Sequence, residues 1–244
     1  MIRCTAARVD LAAIRDNYRA LAASLALERR LNDDATPIPG VIAVVKANAY
    51  GHGAVPVARA LAAAGASWLA VADIEEGLEL REAGLGGRIL VFGALSVSDV
   101  EGVFTHDLTP TLSSPGAARA LAAAAARHDT RLRCHLKIDT GLNRLGFRYD
   151  NLRRTLPDVV ASPSLEIEGL CTHFGSADDA ESGQFEEQRT RFAAACEVVR
   201  ALGVRPALVH AANSAATLRD SRVWFDAVRP GLLLYGLVPP PLAA

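Results

Sequence analysis

The stretch Val41-Ile42-Ala43-Val44-Val45-Lys46-Ala47-Asn48-Ala49-Tyr50-Gly51-His52-Gly53 joins an apolar run to a loop that contains glycine and histidine. Five consecutive apolar residues, Val41 to Val45, are typical of a strand that is buried on both faces, as in a parallel sheet. The Ala-rich amphipathic run that follows, Ala54 to Ala64, predicts a helix. The stretch therefore begins a βα pattern, with Lys46 at the end of its strand.

The same alternation continues along most of the chain. Further strands are predicted at Trp68 to Val71, Arg88 to Phe92, Leu108 to Thr111, Arg131 to Ile138, Leu165 to Thr172, Ala207 to His210 and Asp226 to Arg229. Further helices are predicted at Ile74 to Ala83, Ser98 to Phe104, Pro115 to Arg127, Asn151 to Val160, Gln184 to Leu202 and Ser214 to Leu218. Eight strands with intervening helices predict an α/β fold, a TIM (β/α)8 barrel of parallel strands. An open doubly wound sheet is the alternative.

The two ends of the chain fall outside this count. Leu11 to Leu27 predicts a helix with Asp10 as its N-cap, and Arg3 to Val9, within residues 1–10, predicts a short extra strand. Residues 11–237 form the barrel in this interpretation. The proline-rich residues 238–244 cannot continue a helix or a central strand, so they are interpreted as the start of a linker.

Composition excludes several classes of partner. A net charge of -1 over 244 residues gives no basic footprint for nucleic acid or an anionic membrane. No apolar stretch reaches the roughly 18 residues of a spanning helix. The four cysteines, Cys4, Cys134, Cys171 and Cys196, are widely spaced and predict free thiols in a reducing cytoplasm rather than a metal site or a disulfide framework.

Only two of the 26 basic residues are lysines, Lys46 and Lys137. A desolvated lysine loses its proton and can act as a base or form a Schiff base, whereas arginine stays charged. Lys46 follows a buried strand, so we expect a reactive amine there. A biased composition that leaves two lysines as surface charges is the alternative, and it is stronger for Lys137.

Polar residues follow most of the predicted strands. They are Lys46, Asp73, Lys137 with Asp139 and Arg144, His173, Asn213 with Ser214, and Arg229 with Gly231. In a barrel, the carboxyl ends of the strands converge on the rim where active sites lie. Each residue alone has a structural alternative, such as a helix cap or an ion pair, and their coincidence at strand ends favours a site.

The last two of these loops have the parts of a phosphate site. Asn213 and Ser214 would present a hydroxyl and backbone N–H groups at a helix N-terminus, and Gly231 would allow close approach of the backbone. Joined to an amine on the first strand, this arrangement suggests a phosphorylated carbonyl cofactor, pyridoxal 5'-phosphate.

The sequence also resembles a known family, the alanine racemases. The run Val44 to Gly53 is similar to the cofactor-lysine signature of that family almost residue for residue. Further similar blocks follow in the expected order: Lys137 to Phe147, Thr172-His173-Phe174, His210 to Ala215, Val228 to Gly231 and Leu234 to Leu237. The resemblance covers essentially the whole chain and implies the N-terminal barrel domain of a racemase that supplies D-alanine for cell-wall precursors.

The resemblance implies roles for individual residues. Lys46 would form the Schiff base with the cofactor and act as the base on the D-alanine face. The cofactor phosphate would contact Tyr50, Ser214, Gly231 and Leu232, with Asn213 beside them. Arg229 would face the pyridine nitrogen, with His173 hydrogen-bonded in the same network. Because arginine keeps its proton, this partner should discourage transamination and decarboxylation.

Two further positions would support the substrate. Arg144 would hold the substrate carboxylate or support the phenolic oxygen of the cofactor. Lys137 corresponds to a position that carries a carbamate in some members, which would turn its charge negative and orient the arginine.

One feature of the family has no counterpart in the sequence. Racemisation needs acid/base groups on both faces of the α-carbon, and in the family the second is a tyrosine from the C-terminal β domain of the partner subunit in a homodimer. The four tyrosines, Tyr18, Tyr50, Tyr149 and Tyr235, all have other places in this interpretation. We therefore expect weak or no racemisation of alanine by this chain alone. A single-domain protein of pyridoxal phosphate homeostasis is the alternative, although its lysine motif differs; a decarboxylase or broader racemase is disfavoured by Arg229.

Overall fold

The strands of the repeated pattern form a closed ring in the computed structural model, which describes residues 6–32, 36–93, 100–238 and 242. The strands are β1 (Gly40–Val44), β2 (Trp68–Val71), β3 (Arg88–Val91), β4 (Thr109–Leu112), β5 (Leu132–Asp139), β6 (Phe147–Arg148), β7 (Leu165–Cys171), β8 (Leu208–His210) and β9 (Ala227–Val228). All pairings are parallel. The short β6 pairs only with β5, outside the ring.

Two pairings close the ring and exclude an open sheet. β4 pairs with β5, where Thr111 lies opposite His135, and β1 pairs with β9, where Gly40 lies opposite Ala227. Eight strands therefore form the ring, in the order β1-β2-β3-β4-β5-β7-β8-β9. The predicted TIM (β/α)8 barrel is confirmed.

The helices cover the outside of the barrel. They are α1 (Leu11–Leu31), α2 (Lys46–Gly51), α3 (Ala54–Ala63), α4 (Ile74–Glu82), α5 (Glu101–Thr105), α6 (Pro115–Arg127), α7 (Leu152–Thr155), α8 (Pro157–Val160), α9 (Gln184–Ala201) and α10 (Ser214–Arg219). Two 3-10 turns, Ser221–Val223 and Leu232–Tyr235, flank β9.

Three helical segments differ from the prediction. The helix expected at Asn151 to Val160 is divided into α7 and α8, because Pro157 lacks the N–H group that would continue the first helix. The segment α2 was not predicted, and its inner residues are left-handed. The helix expected at Ser98 to Phe104 is α5, and residues 98 and 99 lie outside the described residues.

The first helix seals one side of the barrel. Asp10 caps it as predicted, since its Oδ1 accepts hydrogen bonds from the N–H groups of Ala12 (2.9 Å) and Ala13 (3.1 Å). The helix contacts α3 and the Leu232–Tyr235 turn. Before it, residues 6–10 are irregular rather than a strand, and residues 3–5 of the predicted strand lie outside the described residues, as does most of the predicted linker.

The interior of the barrel is apolar on one side and polar on the other. The buried side chains of Ile42, Val44, Ala70, Leu90 and Ala227 form a separate small cluster, apart from the large core that packs the strands against the helices. On the opposite side, β5, β7 and β8 carry buried or half-buried polar side chains: His135, Glu168 and His210. The ring therefore holds polar groups where barrels commonly hold branched apolar residues.

Candidate active site

A cavity of about 300 Å³ opens at the carboxyl ends of the strands. It is lined by all ten residues predicted to form the site: Lys46, Tyr50, Lys137, Arg144, His173, Asn213, Ser214, Arg229, Gly231 and Leu232. Parallel strands explain the convergence, because their carboxyl ends all meet at one rim. Two other strand-end residues do not line the cavity: Asp73 caps α4 and Asp139 accepts hydrogen bonds from the N–H groups of Gly141 and Asn143, both at 3.0 Å.

The surroundings of Lys46 lower the pKa of its amine. Burial lowers its pKa, and the positive charges of Arg144 and Arg229 lower it further, while Glu76 opposes them. No hydrogen bond joins its Nζ to any residue that the structure describes. A neutral amine is both a nucleophile and a base, so either role is open to Lys46.

The turn after Lys46 has an unusual backbone. Four successive residues, Ala47 to Tyr50, are left-handed, with φ values of 52° to 53°. Such a conformation costs roughly 1–2 kcal/mol for each residue with a Cβ. Glu76 holds the turn against the neighbouring strand, because its carboxylate accepts hydrogen bonds from the N–H groups of Ala47 (2.5 Å) and Ala72 (2.7 Å). These hydrogen bonds hold the strained backbone in place, and the turn directs Tyr50 into the cavity.

The Tyr50 hydroxyl lies against Gly231. A Cβ at residue 231 would lie 2.2 Å from that oxygen, so only glycine permits this contact. Ser214 Oγ accepts hydrogen bonds from the N–H groups of Gly231 (3.0 Å) and Leu233 (3.3 Å), which leaves its own proton free to be donated. Asn213 caps α10 by accepting from Ala216 N at 2.9 Å. The hydroxyls of Tyr50 and Ser214 are thus two donors beside the start of α10, where an anion can be bound.

Arg229 lies at the floor of the cavity and is almost fully buried. Its guanidinium donates hydrogen bonds to His210 Nδ1 (2.9 Å) and to the carbonyl oxygens of Thr172 (2.7 Å) and Ala211 (3.0 Å). These contacts fix the plane of the guanidinium. One edge of the guanidinium is thus hydrogen-bonded to the barrel. The Arg229 side chain also lines the cavity, where it carries a positive charge.

Burial lowers the pKa of two other ionisable groups in the cavity. His173 has its pKa lowered to about 3, first by burial and then by the positive charges of Arg229 and Lys137. The pKa of Lys137 is lowered by burial and by the same arginine, whereas Cys171 opposes the shift. The side chain of Lys137 is only 6% exposed. The alternative of a surface lysine is therefore wrong for this residue.

Gln188 joins the loops that carry these groups, and no pattern in its local sequence marks it. Its side chain is fully buried on α9. The amide donates to Thr140 Oγ1 (3.2 Å) and to the carbonyl of His173 (3.1 Å), and it accepts from Gly175 N (2.9 Å). The loops after β5 and β7 are thereby fixed to one helix.

Several cavity residues were not singled out from the sequence. Phe92, Cys171 and Thr172 lie at or beside strand ends and follow the same rule as the predicted residues. Asp178 lies in the loop after β7, and nothing in its local sequence marks it. Cavity residues beside strand ends can thus be recognised from the sequence, whereas a cavity residue in a longer loop cannot.

Comparison with known proteins gives one consistent result. Residues 9–239 match the family model described as the N-terminal domain of alanine racemase. The chain is 40% identical to alanine racemase from Symbiobacterium thermophilum over 98% of its length, which is 61% of that protein. It is 41% identical to alanine racemase from Carboxydothermus hydrogenoformans, covering 96% of this chain and 60% of that one.

Solved structures give the same match. The alanine racemase of Streptomyces lavendulae has a TM-score of 0.87 and 36% identity, over 96% of this chain and 59% of that one. The alanine racemase of Bacillus anthracis with bound L-Ala-P has a TM-score of 0.83 and 36% identity, over 97% and 60%. The chain spans about three fifths of the length of these relatives.

Proposed function

Because this chain belongs to the family of the alanine racemase N-terminal domain, we propose that it is the cofactor-binding barrel of a racemase that interconverts L-alanine and D-alanine. One observation carries the proposal. An amine of lowered pKa, a buried guanidinium and a set of anion donors line a single cavity. Pyridoxal 5'-phosphate has an aldehyde, a ring nitrogen and a phosphate that correspond to these three features.

The residues present fit this cofactor. The contact between Gly231 and Tyr50 leaves no room for a side chain at residue 231, as expected where a phosphate lies close to the backbone. Tyr50, Ser214 and Leu232 would hold the phosphate, with Asn213 fixing the helix start. Arg229 would meet the ring nitrogen as a donor, because a guanidinium has no acceptor.

When bound, the cofactor supplies an electrophilic carbon for covalent attachment and a ring that withdraws electrons from the α-carbon of the substrate. Lys46 would hold it covalently and then take or return the α-proton at Nζ. Its lowered pKa suits this role, since a base works best when its pKa lies near the working pH. Arg144, whose side chain is exposed at the cavity, would bind the substrate carboxylate.

His173 and Lys137 would support these groups rather than react. A histidine with its pKa lowered to about 3 remains neutral, so it can share a hydrogen bond without adding positive charge beside Arg229. The buried amine of Lys137 would be available for the carbamate that the family resemblance implies. A carbamate would place a negative charge between Arg144 and Arg229.

The second face of the α-carbon needs another acid/base group. Of the four tyrosines, all within the described residues, Tyr50 alone lines the cavity, and its hydroxyl lies at the phosphate end. Tyr235 donates its hydroxyl proton to the carbonyl of Val44 at 3.0 Å. We propose that the second group comes from outside this barrel, from a partner subunit in a homodimer.

The biological setting is proposed on similar grounds. D-Alanine made by such an enzyme would serve as a precursor of the bacterial cell wall. The three described cysteines, Cys134, Cys171 and Cys196, are buried free thiols, which suits the reducing cytoplasm. Among the described residues, no helix combines the length and the apolar character needed to cross a membrane.

A pair of lysine variants tests the proposal. The chain mixed with pyridoxal phosphate should develop the absorbance of a covalent lysine adduct, which Lys46→Ala should abolish and Lys137→Ala should retain. D-Alanine formation from L-alanine should be weak for the chain alone. An absent band in the folded wild-type protein would refute the cofactor assignment, and full racemase activity would refute the need for an external group.

A further inference from the structure

The buried charge of Arg229 has neutral immediate partners. Its hydrogen bonds go to one imidazole nitrogen and two backbone carbonyls. No carboxylate of the described residues forms an ion pair with it. A buried guanidinium is costly unless charge and hydrogen bonds compensate it.

A chain of side chains leads from Arg229 to a carboxylate through the interior of the barrel. His210 Nε2 lies 2.8 Å from His135 Nδ1. His135 Nε2 has no hydrogen bond to any described residue, and it lies 3.5 Å from Oε1 of Glu168. That carboxylate forms an ion pair with Arg88. Arg88 is the first residue of β3, so the chain runs from the carboxyl ends of the strands toward their amino ends.

Two features of β7 make room for this chain. The register between β5 and β7 shifts at Glu168: Cys134 pairs with Ile167 and His135 pairs with Gly169, which leaves Glu168 as the extra residue of a β-bulge. Bulges redirect side chains, and this one directs Glu168 toward His135. A Cβ at Gly169 would lie 2.3 Å from the His135 ring, so glycine is required beside it.

The protons along the chain can point in only one direction. Arg229 can only donate, so His210 Nδ1 must accept and the proton of the neutral ring must be on Nε2. That proton is donated to His135 Nδ1, which places the His135 proton on Nε2, facing Glu168. Burial lowers the pKa of both histidines, so both rings are neutral. A carboxylate can only accept a proton or a hydrogen bond. Arg229 and Glu168, at the two ends of this series of side chains, therefore require the same tautomers of His135 and His210.

We infer that Glu168 is a positioning residue for Arg229: its carboxylate faces the N–H of His135 and favours the tautomers of His135 and His210 that keep His210 Nδ1 available to Arg229. The effect of Glu168 on a bound cofactor rests on the proposed function, in which the Arg229 guanidinium would meet the ring nitrogen of the cofactor. The positions of the protons on His135 and His210 do not depend on that function.

Nitrogen-15 NMR of the histidine side chains tests the arrangement in the 244-residue chain without cofactor. Both His135 and His210 should show a protonated Nε2 and an unprotonated Nδ1 at neutral pH. A proton on Nδ1 of either ring, or a cationic ring, would overturn the inference. This wild-type measurement does not depend on any variant folding.

Three variants separate Glu168 from a general packing effect. Glu168→Leu removes the carboxylate that faces the His135 Nε2 proton, so the His210 ring-nitrogen shifts should move. Glu168→Gln keeps a carbonyl oxygen and should retain the wild-type tautomers. Glu166→Leu, on the same strand, should leave the shifts unchanged. Wild-type His210 shifts in a folded Glu168→Leu protein would show that Arg229 alone sets the tautomer and would sink the proposal.

Cofactor binding gives an independent readout. Glu168→Leu should keep the covalent band at Lys46 but bind pyridoxal phosphate more weakly than Glu168→Gln does. If the wild-type protein forms no band, the proposed function fails while the NMR result stands by itself. Equal affinities of the two variants would refute an influence of Glu168 on the cofactor site.

Discussion

Lys46 derives its proposed chemistry from two local features. The residue is half-buried at the end of a strand, and this burial lowers the pKa of its amine. The following turn is left-handed and brings Tyr50 to the same cavity. One short stretch of sequence thus places an amine of lowered pKa and the hydroxyl of Tyr50 at the same rim.

The strain of this turn predicts an opposite response to one substitution at two sites. Ala47 is exposed and has a φ of 53°, so Ala47→Gly should raise the free energy of unfolding by up to about 1 kcal/mol. Ala20 is exposed in the middle of the right-handed α1, where the same change should lower it by about 1 kcal/mol. Urea unfolding of both variants measures the difference. Destabilisation by Ala47→Gly would show that the turn is not strained.

At the residue scale, sequence reasoning found the groups that follow strands. All ten predicted site residues line the cavity. Eight of them follow predicted strands, which can be recognised from apolar runs, whereas Tyr50 and Leu232 were implied only by the family resemblance. Sequence reasoning did not find Glu76, Gln188 or the interior chain through His135 and Glu168. These residues act through contacts with distant segments, and Glu168 is directed inward by a bulge that no local pattern marks.

At the element scale, α9 does more than cover the barrel. Gln188 is its one described side chain that hydrogen-bonds both the segment after β5 and the segment after β7, through Thr140, His173 and Gly175. Because these segments carry cavity residues, the rim is anchored from the outside as well as by the strands.

This anchor predicts a large effect for a nearly isosteric change. Gln188→Leu would leave the N–H of Gly175 and the oxygens of Thr140 and His173 without this partner. We expect the free energy of unfolding to fall by about 2–4 kcal/mol. Gln184→Leu, an exposed position on the same helix, should change it by less than about 0.5 kcal/mol. Equal stabilities in urea unfolding would contradict the assignment.

Most helices and strands were predictable, because each shows the hydrophobic period of its type and has recognisable residues at its ends. The helix at Pro115–Arg127 matches the prediction to the residue, since Ser114 caps it and Pro115 suits its first turn. The left-handed α2 could not be predicted, because three of its four left-handed residues are not the types that usually adopt this conformation.

At the scale of the whole molecule, closure of the ring was predicted by counting strands, but the polar interior was not. The interior places His135 and His210 with His173 among buried groups, and burial lowers the pKa of all three. An unfolded chain would return each histidine to a pKa near 6.5. The folded barrel therefore excludes protons that the unfolded chain binds.

The sign of the resulting pH dependence follows from linkage. Below about pH 6.5 the unfolded chain takes up protons that the folded chain does not, so stability is full above that pH and falls on acidification toward the folded pKa. For His173 that lower limit is about 3. We expect a loss of about 1.4 kcal/mol per pH unit from His173 in this range. The lowered pKa values of His135 and His210 add a loss in the same direction.

Urea unfolding at about pH 7 and about pH 5 measures this loss. His106→Gln, which alters a histidine outside the buried set, should keep the same slope. A free energy of unfolding that does not fall between these two pH values would show that the buried histidines do not resist protonation.

The central claim is that one amine in this barrel, Lys46, holds pyridoxal phosphate covalently. The most direct measurement is borohydride reduction of the chain with the cofactor, followed by peptide mass analysis. The account predicts a phosphopyridoxyl group on the peptide that contains Lys46 and none on the peptide that contains Lys137. A modified Lys137, or an unmodified Lys46 in the folded protein, would contradict it.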